Sequence, residues 1–235
     1  MPRLFSGFSV VLLALVAGCT STGTAIEVDQ SGRFVPTARV SISMPKTSSP
    51  SDPQDGTAIE LGIAGVKGRS TQTLGGGQRV ELGDRTFNGP VTLENEARAT
   101  LVDGALRWRR FTEGRGLGIE LLGGVGYVNA DFAATGGGQR GSESFNSLGL
   151  VGGIGGIWRL APSTSVQARY SLFLTGGWFD ETDVQRIDLA LVQALGRNFA
   201  LRAGWQAWAI ESKHVGRSEI SARLRGPSLG MEISF

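Results

Sequence analysis

Apolar and polar residues alternate along most of the chain after Thr57. In "VQARYSLFL", apolar side chains occupy every second position from Val166 to Leu174, and Arg169 lies between them. The segments "RIDLALVQAL" and "NFALRAGWQA" show the same period of two, which predicts strands with one apolar face. Glycine recurs inside the apolar runs, and this disfavours helices. The sequence therefore predicts an all-β chain.

The alternation predicts eight strands, arranged most simply as antiparallel neighbours in an up-and-down barrel. Their predicted ranges are 58–67, 93–110, 117–130, 145–159, 164–174, 184–194, 199–210 and 219–235. Two further segments, "ARVSISM" at 38–44 and "QRVELGD" at 78–84, also alternate. If both join the sheet, the number of strands becomes ten and remains even.

The connections between these strands alternate in length. "FTEGRG", "LAPS" and "LGRN" are short, whereas "DFAATGGGQRGSE", "TGGWFDETD" and "ESKHVGRS" are long. Residues 57–235 therefore resemble a bacterial outer-membrane β-barrel of the small OmpA-like architecture, in which short turns face the periplasm and long loops face outward. The resemblance implies transmembrane strands whose apolar face contacts the lipid of the outer membrane.

The N-terminus has the features of an export signal. Arg3 precedes an apolar run that is too short to span a bilayer, and "VAGC" follows it. This ending resembles the lipobox of bacterial lipoproteins, which implies removal of residues 1–18 and acylation of Cys19, the single cysteine of the chain. Thr20 follows the cysteine, and by lipoprotein sorting rules this residue favours the outer membrane. An ordinary signal peptide with a chance cysteine is the alternative.

Residues 19–56 are rich in Ser, Thr, Pro and Gly, and "KTSSPSDPQDGT" is their clearest low-complexity run. This composition predicts a flexible tether between the lipid anchor and the barrel. One further strand is expected within it at 38–44.

The C-terminus "SLGMEISF" places Met231, Ile233 and Phe235 on one apolar face of the last strand. This ending resembles the signal by which outer-membrane barrels are recognised for insertion. The resemblance implies the barrel-assembly and lipoprotein-sorting machineries as partners. A soluble β-domain ending on an edge strand is the alternative.

Five charged residues are expected on the face opposite the lipid: Glu120, Arg169, Asp188, Arg202 and Glu232. In a narrow barrel these charges should form ion pairs, because an unpaired buried ion costs several kcal/mol. The net charge of +2 is small and the basic residues form no patch, which argues against nucleic-acid binding. The oligomeric state does not follow from these patterns.

One group of residues suggests catalysis. His214 lies near Glu211, Ser212, Ser218 and Glu219, and the outer-membrane lipid A deacylases use histidine, serine and a carboxylate. Their motif places the serine two residues after the histidine, where this chain has Gly216. The mismatch favours a loop histidine without catalytic function. No metal-binding spacing and no cofactor motif is present, so we expect no metal and no cofactor.

The sequence therefore predicts a non-enzymatic outer-membrane lipoprotein with a structural or surface-interaction role. Three alternatives remain: a narrow passive pore for small solutes, a lipid-modifying hydrolase, and a lipid-tethered soluble periplasmic barrel.

Overall fold

The computed structural model describes residues 26–31, 34–44, 56–112, 116–175, 180–196, 198–214 and 220–234. Within these ranges the chain forms strands and no helix, which confirms the all-β prediction. The twelve strands are β1 (Ile26–Ser31), β2 (Val35–Ser43), β3 (Gly56–Leu74), β4 (Arg79–Leu82), β5 (Arg85–Asn88), β6 (Val91–Phe111), β7 (Leu117–Gly136), β8 (Gln139–Ala161), β9 (Thr164–Leu174), β10 (Asp180–Ala194), β11 (Phe199–His214) and β12 (Ile220–Ser234).

Ten of these strands form one large sheet that closes into a ring. The order is β1-β12-β11-β10-β9-β8-β7-β6-β3-β2, and β12 also pairs with β2. β1 pairs with Ile220–Arg225 and β2 with Ser228–Ser234, so both lie along the same strand. The ring therefore has nine positions, and β1 and β2 together fill one of them.

The direction of the closing strands differs from the prediction. β3 and β6–β12 form eight strands that are antiparallel to their neighbours, but β1 and β2 both run parallel to β12. The predicted purely antiparallel ring of eight or ten strands is thus corrected to a mixed sheet. Alternation shows which face a residue occupies but carries no information about strand direction, and this explains the error.

The two further alternating segments belong to different sheets. Residues 38–44 overlap β2, which belongs to the ring, whereas 78–84 overlap β4, which pairs only with β5 in a separate two-stranded sheet. The segment 19–56, expected to be a tether with one strand, contains both β1 and β2.

The two ends of the ring are unlike. We call the end where β12 finishes the lower end; the connections from β6 to β7, from β8 to β9 and from β10 to β11 lie there, and so does the connection from β2 to β3. The opposite, upper end carries the β4–β5 hairpin and the connections from β7 to β8, from β9 to β10 and from β11 to β12. Because β1 runs parallel to β12, Ile26 also lies at the upper end.

The two faces of the long strands exchange polarity partway along. On β6, the outward positions from Val102 to Trp108 are apolar, whereas those from Thr92 to Thr100 are polar or charged. The inward positions change in the opposite sense, from Arg107 and Arg109 in the lower part to apolar side chains in the upper part. The strands therefore have an apolar exterior below and an apolar interior above.

This change of polarity along the strands explains a second difference from the prediction. The predicted long loop at 131–143 consists of the continuing strands β7 and β8, joined by a tight turn at Gly137 and Gly138. Both glycines have positive φ, 58° and 77°, as a type I′ hairpin turn requires. The alternation continues through Phe132 and Ala134, but the apolar residues there face inward, so a search for one constant apolar face ends too early.

Candidate functional site

The lower interior of the ring contains a network of charged side chains. Eleven charged residues are buried there, six arginines and five acids: Arg39, Arg107, Arg109, Arg169, Arg186, Arg202, Glu60, Asp103, Glu120, Asp188 and Glu232. Each of them lies on the inward face of a strand of the large sheet. We call this set the interior network.

Arg169 on β9 joins two carboxylates within the network. Its Nε donates to Glu120 Oε1 at 2.6 Å, and its Nη2 donates to Glu60 Oε2 at 3.2 Å. Arg109 Nη2 also donates to Glu120, at 2.9 Å, and Arg107 Nη1 donates to Glu60, at 3.1 Å. One guanidinium thus connects β3 with β7 across the interior, and every carboxylate in this group has at least two arginine partners.

A second group surrounds Asp188 on β10. Its Oδ2 accepts from Arg39 Nη2 and from Gln206 Nε2, both at 2.9 Å. Arg202 lies 3.4 Å from Asp188 Oδ1 and 3.4 Å from Glu232 Oε2, so it joins β10 to the final strand. These charge-assisted bonds satisfy ions that would otherwise be costly to bury.

Glycines on the inward face make room for this network. A Cβ atom at Gly62 would lie 2.1 Å from Asp103 Oδ1, and one at Gly155 would lie 2.6 Å from Glu120 Oε1. Asp103 in turn accepts from Arg186 Nη2 at 3.2 Å. The high glycine content is therefore partly a packing requirement of a charged interior.

The upper interior is filled by apolar side chains. Its largest fully buried members include Phe132, Phe173, Trp208, Ile210, Leu93 and Leu224. The β4–β5 hairpin inserts Val80, Leu82 and Phe87 into the same cluster, each 0–1% exposed. The hairpin is held to β8, because Gln139 Nε2 donates to the Thr86 carbonyl at 2.7 Å.

The lower exterior forms a continuous apolar surface, which we call the outer belt. Every position of the ring contributes exposed side chains to it: Ile42, Ile59, Leu61, Ile63, Val102, Leu106, Trp108, Leu117, Ile119, Leu121, Val125, Tyr127, Leu148, Leu150, Ile154, Trp158, Leu174, Ile187, Leu189, Leu191, Leu201, Trp205, Leu229 and Met231. Leu148 is 72% exposed and Leu150 is 67% exposed. Contiguous apolar surfaces of this extent mark contact with a partner or a membrane.

The structure brings the five charged residues expected in the lumen into one network. Glu120, Arg169, Asp188, Arg202 and Glu232 are all buried and all form ion pairs.

Sequence reasoning missed six further members of the network: Arg39, Glu60, Asp103, Arg107, Arg109 and Arg186. The signal was present in "RWRR", where Trp108 lies outward between two inward arginines.

The structure describes only some of the other predicted site residues. Met231 is exposed on the outer belt and Ile233 lies on the same face, while Phe235 and Cys19 lie outside the described residues. His214 on β11 is in register with Asp180. Gly216, Ser218 and Glu219 lie outside the described ranges. Glu211 and Ser212 are consecutive residues of β11 and therefore lie on opposite faces of the strand.

Searches of protein-family models, of curated proteins and of solved structures found no match to this chain. Within the part of the chain that the structure describes, no helix has the length and apolar character needed to cross a bilayer. In the same part, no cluster of three or more His, Cys, Asp or Glu residues is arranged to hold a metal ion.

Proposed function

We propose that this protein is a non-enzymatic β-barrel of a bacterial outer membrane, with a structural or surface-interaction role. The observation that carries the proposal is the distribution of polarity around the ring. Exposed leucine, isoleucine, valine and tryptophan side chains form the outer belt, while the interior at the same level contains the interior network. A bilayer favours this arrangement and water opposes it.

The dimensions of the outer belt fit a membrane. On β7 it extends over eleven positions, from Leu117 to Tyr127, and a tilted transmembrane strand needs about 9–11 residues. Above Tyr127 the outward positions become polar, beginning with Asn129. On β8 the change falls between Asn146 and Leu148, and on β12 between Arg225 and Pro227. The agreement between strands supports a bilayer boundary at this level.

The interior argues for a plugged barrel rather than an open pore. Ion pairs cross the lower interior from strand to strand, and the upper interior is filled by an apolar cluster that includes the β4–β5 hairpin. Small barrels characteristically fill their lumen with side chains. A structural role, or display of the polar upper walls of β3, β6, β7 and β8 to the exterior, follows from such a closed interior.

The proposal includes the cellular location that the sequence suggests. Residues 1–18 serve as an export signal, Cys19 carries the acyl chains, and the lower end of the ring faces the periplasm. The short connections from β6 to β7, from β8 to β9 and from β10 to β11 lie at that lower end, as short turns lie on the periplasmic side of outer-membrane barrels. The partners are then the lipid of the outer membrane and the machineries that sort lipoproteins and insert barrels.

The test is gel migration of the membrane-extracted protein before and after boiling, combined with the variant Cys19→Ser. A closed barrel resists detergent unfolding, so the unboiled protein should migrate faster than the boiled one. The Cys19→Ser protein should remain in the membrane fraction, because the belt alone retains it. Release of that variant into the soluble fraction would favour a lipid-tethered soluble barrel and contradict the proposal.

The alternative of a narrow pore is tested separately by current recording in planar bilayers. The plugged interior predicts no steady single-channel steps from the purified protein. Reproducible steps would replace the structural role with passive transport but would leave the membrane placement intact.

A further inference from the structure

The eight strands β3 and β6–β12 form a complete antiparallel meander by themselves. β3 runs towards the upper end and β12 runs towards the lower end, so their free edges have opposite directions. β1 and β2 fill the space between these two edges and run parallel to β12. Without them, β3 and β12 have the directions needed to pair with each other as antiparallel strands.

The buried charges of the eight strands also balance without β2. Among the described residues, the eight strands contribute five buried arginines and five buried acids, and β2 adds Arg39 as the sixth arginine. Arg39 Nη1 is buried and has no hydrogen-bond partner. The network therefore contains one cation more than the body of eight strands requires.

The carboxylates that Arg39 contacts keep other partners. Glu60 is bound by Arg107 and Arg169, and Asp188 is contacted by Arg202. Ser41, which is also buried on β2, contacts Arg107, which keeps its bond to Glu60. Removal of β2 thus leaves none of these ions without a charged partner, which is the main cost of breaking a buried ion network.

From these observations we propose that β1 and β2 form a separable closing strand. The ring has nine positions when this strand is inserted, and it has eight when the strand leaves and β3 pairs with β12. For its location in a membrane the inference rests on the proposed function. The inference that the ring has two closed forms rests on strand direction and charge balance.

Release of the closing strand moves the N-terminal part of the chain from one end of the ring to the other. When the strand is inserted, the chain enters β1 from the upper end at Ile26. When it is released, the strand remains joined to Gly56 at the lower end through residues 45–55. Cys19 precedes Ile26 by seven positions, a reach of at most about 25 Å. An acyl chain on Cys19 is therefore held near the upper end in one form and is free to reach the lower leaflet in the other.

Disulfide trapping in the full-length protein in its membrane separates the two forms. Ala38 on β2 is directly opposite Ile63 on β3 and Met231 on β12. The pair Ala38→Cys and Met231→Cys reports the inserted form. The pair Ile63→Cys and Met231→Cys reports the released form, because an inserted strand separates these positions by about 9.6 Å, two strand spacings. That separation exceeds the Cα distance of about 7 Å that a disulfide allows.

The control pair is Val102→Cys and Leu148→Cys. Both residues are outward and both are opposite Tyr127, on β6 and β8, so they have the same separation across a strand that cannot leave. Leu61→Cys and Gly65→Cys, each with Met231→Cys, extend the series, because the register between β3 and β12 in the released form can differ by two residues. Heat-modifiable migration of each variant shows that it has folded.

We expect cross-linking of Ala38→Cys with Met231→Cys, cross-linking of at least one β3–β12 pair, and none of the control pair. Arg39→Ala should raise the yield of the β3–β12 cross-link several-fold while heat-modifiable migration persists. A β3–β12 yield no higher than the control, with or without Arg39→Ala, would overturn the inference, and so would failure of the Ala38–Met231 pair to cross-link. The proposed membrane placement fails only in the gel and partition experiment, so the two ideas can fail separately.

Discussion

Arg169 and Glu60 form an ion pair between strands β9 and β3, across the interior of the ring. Both residues are buried, with 5% and 3% of their surface exposed, and Arg169 Nη2 lies 3.2 Å from Glu60 Oε2. The same guanidinium reaches Glu120 on β7. A single side chain therefore connects three strands that are not neighbours in the sheet.

This connection makes Arg169 a sensitive position. Arg169→Ala should destabilise the folded protein by about 1.5–3 kcal/mol, because it removes charge-assisted hydrogen bonds to Glu60 and Glu120, while Arg107 and Arg109 remain as partners of these carboxylates. Urea unfolding in detergent micelles, monitored by heat-modifiable gel migration, measures the change in stability. Arg98→Ala is the control, since Arg98 is exposed on the outward face of β6, and it should change stability by no more than about 0.5 kcal/mol. Equal effects of the two variants would show that the interior network does not stabilise the ring.

The level of the membrane boundary can be tested on β8 with two arginine substitutions on the same outward face. Leu150→Arg, within the outer belt, should cost about 2–4 kcal/mol, because the proposed membrane placement puts a charge there in hydrocarbon. Asn146→Arg, just above the belt, should cost about 0–1 kcal/mol, since its surroundings are interfacial. Unfolding of both variants in lipid vesicles measures the difference. Similar costs at the two positions would contradict a boundary between them.

The upper walls carry an ion pair whose effect depends on pH. Lys67 Nζ on β3 lies 2.7 Å from Glu96 Oε1 on β6, and this hydrogen bond, with the nearby charge of Arg69, lowers the pKa of Glu96 below its usual value. A lowered pKa means that the pair stabilises the fold at pH values above the ordinary glutamate pKa, and that this contribution disappears as the pH falls through the pKa of the folded state.

Lys67→Met should therefore raise the pKa of Glu96 towards its usual value. The carboxyl chemical shift of Glu96, followed by NMR during an acid titration, measures the change. The stability difference between the variant and the native protein should be present near neutral pH and vanish in acid. The stability difference should be small, since both side chains are partly exposed and solvent screens the pair. An unchanged titration of Glu96 would show that Lys67 does not hold the carboxylate in solution.

The β4–β5 hairpin depends on Phe87 for its attachment to the upper interior. Phe87 is 1% exposed and belongs to the apolar cluster. Phe87→Ala should destabilise the protein by about 3–5 kcal/mol, as large-to-small changes in cores do, and it should speed hydrogen exchange of the hairpin amides. Thr86→Ala, on the opposite face of the same strand, keeps the carbonyl that Gln139 binds and should leave exchange unchanged. Equal protection in both variants would indicate that the hairpin is held by its backbone alone.

The sequence predicted the composition of the faces better than the closure of the ring. Strict alternation placed Arg169, Asp188 and Arg202 on the face opposite the apolar residues, and the resemblance to outer-membrane barrels was needed to predict that this face lies inward. All three residues are buried in the structure. The same rule missed Glu60, although position 60 lies within the predicted strand 58–67, and it missed Arg39, whose segment 38–44 was assigned to a tether. A period of two defines the side of a strand, but the pairing partner depends on distant parts of the chain.

Two features were beyond local patterns. The parallel pairing of β2 with β12 brings Arg39 next to Asp188, 149 residues away, and no local signal encodes that distance. The exchange of polarity above Tyr127 reversed the meaning of apolar residues such as Phe132, which face the interior there. The polarity of the outward and inward faces therefore changes along one strand, and a prediction that assigns one polarity to each face fails in its upper part.

Spin labels on β8 test the central claim, that the outer belt contacts acyl chains, most directly. Labels are attached at Ile154→Cys and at Ser144→Cys, both on the outward face, in a protein that carries Cys19→Ala and is refolded into lipid vesicles. Collisions with dissolved oxygen and with a water-soluble nickel chelate are then compared at the two positions. The account predicts high oxygen and low nickel accessibility at Ile154, and the reverse at Ser144. Nickel accessibility at Ile154 as high as that at Ser144 would show that the outer belt faces water and would contradict the account.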